Sequence, residues 1–186
     1  AIDSFDLAFR MQMNAPDILD LSGESETTKT MYGIGEKATE DYGRQCLMAR
    51  RLAERGVRFI QLFHRGWDHH STLPTKIKGQ AFDVDQPCAG LINDLKQRGM
   101  LDDTLIVFAG EFGRTAYGQG TLKRDQYGRD HHPKCFSTWM AGGGIKGGIS
   151  HGETDEYSYN VVKDEVRVRD FNATILHQLG IDHDRL

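Results

Sequence analysis

Two rhythms of apolar positions alternate along the chain: spacings of three and four that mark helices, and short unbroken runs that mark buried strands. Residues 1–21 read as helical, with Phe5, Leu7, Ala8, Phe9 and Met11 as the apolar stripe and Pro16 opening a second short helix to Leu21. Ser22 to Glu36, rich in Gly, Ser, Thr and acidic residues, reads as a surface loop. The helical spacing returns at Tyr42, Cys46, Leu47, Ala49, Leu52 and Ala53, predicting a helix from Thr39 to Arg55. Thr39 is its expected N-cap, Glu40 and Asp41 complement its dipole, and Gly56 stops it.

Three runs read as strands: Val57–Phe63, Thr104–Ala109 and Cys135–Ala141. A long helical pattern, Thr75 to Arg98, separates the first two, with Gly79 and Pro87 as weak points and Gly99 as its stop. Strand, helix, strand implies a right-handed crossover and therefore parallel pairing. The expected fold class is α/β, a mainly parallel sheet flanked by helices, in a single domain over residues 1–186. Gly142 to Gly148 lacks the spacing of a phosphate-binding fingerprint and reads as a tight connection. Gly152 to Val166 is polar and irregular, with room for one edge strand. Asp170 is the expected cap of a last helix, Phe171–Leu179, whose Ala173, Ile175, Leu176 and Leu179 face the core.

Composition narrows the function more than the fold. A chain of 186 residues can bury a real core, and its net charge of −4, with both signs interspersed, points to no nucleic-acid or lipid partner. No apolar run approaches the roughly 20 residues of a membrane span. Cys46, Cys88 and Cys135 are too scattered for a disulfide framework or a four-cysteine zinc site. The start at Ala1 rather than Met reads as a processed or cut chain, which leaves location open.

Candidate chemistry lies at strand ends. Asp68, His69 and His70 follow the first predicted strand; Glu111 follows the second, and Asp130, His131 and His132 close the polar loop after it. In parallel α/β sheets such ends line the ligand crevice. Mixed carboxylate and imidazole donors suit zinc, manganese or iron, whereas calcium wants mostly oxygen. Two such sets could clamp a displacement at phosphorus between ions about 3.5–4 Å apart. Each cluster alone is short and common, and a polar loop with histidines is often merely solvated. His69 and His132 fit either role. Glu111 could equally cap a strand or pair with Arg114, and Arg114 could bind an oxyanion or form a structural ion pair.

Leu7-Ala8-Phe9-Arg10-Met11-Gln12, Gly66-Trp67-Asp68 with His70, Gly110-Glu111-Phe112-Gly113-Arg114-Thr115, Gly128-Arg129-Asp130-His131 and Gly142-Gly143-Gly144 together resemble one family. Tyr32-Gly33, Cys46-Leu47 with Ala49-Arg50-Arg51-Leu52, Thr154-Asp155 and Ala173-Thr174 extend the likeness over nearly the whole chain. It looks like the carboxyl-terminal half of DUF1501, a bacterial, sulfatase-like family placed with the alkaline phosphatase superfamily. The resemblance implies a sulfatase-like α/β fold, here as a partial domain. It implies a hydrolase of small phosphate or sulfate esters, a divalent metal cofactor (zinc or manganese, with calcium a further option) and a periplasmic or extracytoplasmic setting.

Carried over by position, Asp68, His70, Glu111 and His131 match metal ligands, with Asp130, His69 and His132 beside them, and Arg114 is the catalytic candidate. Phe112 stands where the superfamily has a ligand histidine, which leaves one of its two metal sites in question. The superfamily's nucleophile comes from a region without a counterpart here, so turnover by this chain alone is expected to be negligible. The same fold as a non-catalytic binding module is the alternative. Cys46-Leu47-Met48-Ala49-Arg50 departs from the sulfatase cysteine motif at Met48 and lies in a predicted helix, which rules it out as a nucleophile.

Overall fold

The computed structural model describes Phe9 and residues 16–185. The predicted helical stripe of Phe5, Leu7, Ala8 and Met11 lies outside the described residues. Two compact units divide the chain. One takes the residues up to Arg65 together with Gln80–Gln97, and the other takes Gly66–Gly79 with the chain from Arg98 onward.

The first unit is helical. Residues 16–19 form one turn. Part of the expected loop is a helix, α1 (Glu26–Met31), whose N-cap Ser25 accepts the Thr28 backbone N–H on its hydroxyl. Helix α2 (Glu40–Glu54) follows its predicted pattern, and α3 (Leu73–Gln97) starts two residues earlier than predicted and runs through a buried Pro87. Thr39 stands at the N-cap position but makes no side-chain cap; its hydroxyl donates back to the Gly33 carbonyl. Two glycines let backbones meet. A Cβ on Gly43 would stand 2.3 Å from the Tyr32 carbonyl oxygen, and one on Gly90 would stand 2.7 Å from that of Met31. The end of α1 is thereby held against α2 and α3.

Beneath this contact lies a buried cation that the sequence pattern missed. Arg50, 2% exposed, pairs with Glu24 at 2.7 Å, Glu54 at 2.6 Å and Asp94 at 2.9 Å, while Tyr32 donates to Asp94 at 3.0 Å. Burial alone would raise the Glu24 carboxyl, but hydrogen bonds from Arg51 and Arg50 outweigh it and hold it below its ordinary value. Burial and the Asp94 charge push the Tyr32 phenol upward, so it stays a donor. A buried charge cluster is tolerable only because every member has a partner.

The second unit corrects the expected fold class. It has no large parallel sheet but three two-stranded antiparallel ones: β1 (Ile106–Phe108) with β4 (Trp139–Ala141), β2 (Gly113–Arg114) with β3 (His131–His132), and β5 (Glu153–Thr154) with β6 (Val161–Lys163). Residues 110–138 hold no helix to carry the chain back for parallel pairing, so it returns as a long hairpin, and the Phe108 and Trp139 rings stack 5.2 Å apart. Val57–Phe63, in the first unit, has no strand partner among the described residues. Phe59 and Phe63 are more than 70% exposed, because an apolar run becomes a strand only where a ladder receives it.

The glycine connection behaves as read: a Cβ on Gly142 would meet the Thr104 and Leu101 carbonyls at 2.3 and 2.4 Å. Helix α4 (Val168–Gln178) begins earlier than predicted, with Asp170 one turn inside, accepting the Arg167 backbone N–H at 3.1 Å. Leu179, expected in the core, is about half exposed. No helix among the described residues is long and apolar enough to cross a membrane.

The glycine contacts can be tested directly. Gly43→Ala forces a methyl into a backbone carbonyl, and overpacking of this kind costs roughly 1–3 kcal/mol in chemical denaturation. Gly23→Ala, with nothing within 4 Å of its Cβ, should stay within about 0.5 kcal/mol of the parent. Equal effects of the two would show that the close approach does not constrain the fold.

Candidate metal centre

Two segments of the second unit are laced together. The Arg129 N–H donates to the His69 carbonyl at 3.1 Å, Thr72 to Gln126 at 3.1 Å and Leu73 to Tyr127 at 3.0 Å. Gly128 packs flat on the peptide between His70 and Ser71: a Cβ there would lie 2.0 Å from the His70 carbonyl carbon. Only glycine admits that approach. The β2–β3 ladder then presents His131 opposite Arg114 and His132 opposite Gly113.

Strand geometry sends neighbouring side chains to opposite faces, and this separates the paired histidines. His131 is exposed and turns toward Asp68; His132, 4% exposed, turns inward, its Nε2 donating to the Tyr159 carbonyl at 2.7 Å and its ring stacked on Tyr159. The other pair divides in the same way. Asp68 and His70 share a side, while His69, 4% exposed, is buried on the other, where the Gly66 carbonyl accepts from its ring. Burial holds the His69 imidazole below its ordinary value, hence neutral.

What converges is a small triangle. Asp68 Oδ1 lies 2.9 Å from His70 Nε2 and 3.0 Å from His131 Nε2, and the two nitrogens are 3.1 Å apart. Gln119 Oε1, an acceptor only, sits 2.8 Å from His70 Nδ1, so that nitrogen carries a proton and directs Nε2 at the triangle. Three electron-pair donors crowd one point, and only a proton or a cation between them makes the contacts attractive. Arg114 Nη2 reaches the same Asp68 oxygen at 2.6 Å. Hydrogen bonds from His131 first and Arg114 second hold the Asp68 carboxyl well below the usual carboxylate range.

The remaining candidates stand apart from that point. Glu111 is exposed and outside the triangle. Asp130 Oδ1 is 4.0 Å from His70 Nδ1 and accepts the His131 backbone N–H at 2.8 Å, fixing the strand rather than facing the triangle. Phe112 lies against the His131 ring, centroids 4.5 Å apart. Arg114 is engaged by protein oxygens, as the ion-pair reading has it. Gln119 was missed by sequence reasoning; an amide between two glycines of a polar loop carries no signal by itself. Cys46 is buried in α2, its thiol pushed upward by burial, unlike a nucleophile.

The donor set and its spacing fit a tetrahedral divalent ion. Metal–ligand bonds of about 2.0–2.1 Å place donors roughly 3.3 Å apart, close to the triangle observed. A family model described as Protein of unknown function (DUF1501) matches residues 1–186. No curated protein and no solved structure matches the chain.

Two outcomes follow from this geometry. Asp68 titrates below its unfolded value near 3.9, so the stability it contributes is present above about pH 4 and is lost as pH falls through the lower folded value. Carbon-13 NMR of the Asp68 carboxyl should show a midpoint below 3.9; a midpoint at or above it would show that the His131 and Arg114 contacts do not form in solution. Gly128→Ala should push residues 69–73 from residues 126–129 and lower stability, read by chemical denaturation.

Proposed function

The chain belongs to the DUF1501 family, and from that premise we propose that it supplies a divalent-metal centre to a hydrolase of phosphate or sulfate esters. The observation carrying this reading is the triangle of Asp68 Oδ1, His70 Nε2 and His131 Nε2 with sides of 2.9–3.1 Å. Two imidazoles and one carboxylate favour zinc or manganese over calcium. Three protein ligands also leave a fourth position for water or substrate, as in catalytic rather than structural zinc sites.

When bound, such an ion supplies Lewis-acid polarisation of an ester oxygen and lowers the pKa of a bound water to about 7. The chain's own residues do the rest. Gln119 sets the tautomer of His70, the β2–β3 ladder sets the direction of His131, and Asp68 contributes the anionic ligand. The sulfatase-like, alkaline phosphatase-type assignment belongs to this proposal, as does a nucleophile supplied from outside the residues that resemble the superfamily.

One observation favours a second reading, a metal-holding module without turnover. Phe112 occupies the place of a second-site histidine and packs on His131, and Glu111 stays outside the triangle, so these residues do not assemble a second ion site.

The test begins with metal content. The parent should bind one zinc or manganese ion per chain by calorimetry. His70→Ala and His131→Ala should each lose more than the roughly 10–100-fold that loss of an outer partner costs, whereas Glu111→Gln should bind like the parent. Binding by His131→Ala as tight as the parent's would sink the metal reading. Aryl phosphates and sulfates, assayed on the full-length gene product with and without metal, then separate hydrolase from binding module.

A further inference from the structure

We propose that Arg114 is a positioning residue for the metal centre: its guanidinium ties together the two segments that carry the ligands, so the triangle stands assembled before an ion arrives. The proposal rests on the metal-centre reading above. Arg114 Nη2 donates to the Asp68 carboxylate at 2.6 Å and to the Trp67 carbonyl at 3.3 Å, and Nη1 donates to the Arg129 carbonyl at 3.3 Å. Trp67 immediately precedes Asp68, and Arg129 stands two residues before His131. One planar group therefore holds both ligand-bearing segments, in a span that a lysine ammonium cannot reproduce.

The strand register makes this reach available. Arg114 lies directly opposite His131 in the β2–β3 ladder, so both side chains leave the same face and meet the same carboxylate oxygen. With both terminal nitrogens on protein oxygens, the fork is not presented to a ligand. That separates this role from oxyanion binding, the other use open to an arginine here.

A cation beside a divalent ion also repels it, and this effect has the opposite sign. The Asp68 side chain is 66% exposed, so solvent screens both the repulsion and the ion pair, whereas the bonds from Arg114 to the Trp67 and Arg129 carbonyls, one on each segment, involve no second charge and fix the geometry. Pre-assembly therefore prevails. An outer partner that orients a ligating carboxylate typically accounts for about 10–100-fold in metal affinity.

Zinc titration of the full chain, Arg114→Ala and Arg114→Lys tests the assignment. Both variants should bind about 10–100-fold more weakly than the parent, and millimolar methylguanidinium should restore affinity to Arg114→Ala but not to Arg114→Lys. Affinity in the variants equal to or tighter than the parent's would show that repulsion governs and overturn the proposal. Weakening that methylguanidinium does not restore assigns the loss to general damage and overturns it too. A parent that binds no zinc removes the metal centre itself, and this role with it; a parent that binds beside unchanged variants removes only the role of Arg114. If Arg114→Ala does not fold, the affinity of Arg114→Lys decides alone.

Discussion

The contact between Gly128 and the peptide joining His70 to Ser71 is the constraint on which the second unit's chemistry depends. No side chain larger than hydrogen fits there, since a Cβ would overlap the His70 carbonyl carbon. Because the backbones touch, the Arg129 amide can reach the His69 carbonyl, and residues 126 and 127 can receive the amides of Thr72 and Leu73. A second close approach, of Gly113 to the Cys135 carbonyl, seats the β2–β3 ladder. Side chains sixty residues apart in sequence then end within hydrogen-bonding distance of a single oxygen.

The two units use charge in opposite ways. Around Arg50 the guanidinium and Asp94 are buried and answered, with Glu24 and the more open Glu54 completing the cluster, which anchors Tyr32, α2 and α3. Breaking it would leave uncompensated charge in a medium that punishes it. Around Asp68 the charges are exposed, where ion pairs contribute little to stability. Such a convergence of two imidazole nitrogens and a guanidinium on one carboxylate oxygen, at the surface, gains the fold little.

Much of the local structure was legible along the chain. The stripe of Tyr42, Cys46, Leu47 and Ala49 encodes α2, and the helical pattern over 75–98 encodes α3, because helical periodicity is a property of near neighbours. Gly56 and Gly99, both with positive φ, ended those helices for the same local reason. The helix that Ser25 caps was missed inside the expected loop, and Asp170, read as a cap, stands one turn inside α4, where local signals compete. Arg50 was invisible as a core residue because two of the three acids that neutralise it, Glu24 and Asp94, lie 26 and 44 positions away in opposite directions.

Sequence alone nominated seven donors at strand ends: Asp68, His69, His70, Glu111, Asp130, His131 and His132. The family resemblance singled out Asp68, His70, Glu111 and His131, but the residue types alone left His69 and His132 open, because which of two adjacent histidines faces outward depends on register, and register is set by the partner strand. Nor could the sequence orient the strands. Thr104–Ala109 and Cys135–Ala141 are apolar enough for parallel or antiparallel pairing; the stretch between them was legible as a polar loop without a crossover helix, but only the ladder itself shows that it brings them together antiparallel. Residue types, helix periods and glycine stops are local and were written in the chain. The triangle of Asp68, His70 and His131, and the amide of Gln119 that orients it, exist only once a backbone contact at Gly128 joins distant segments.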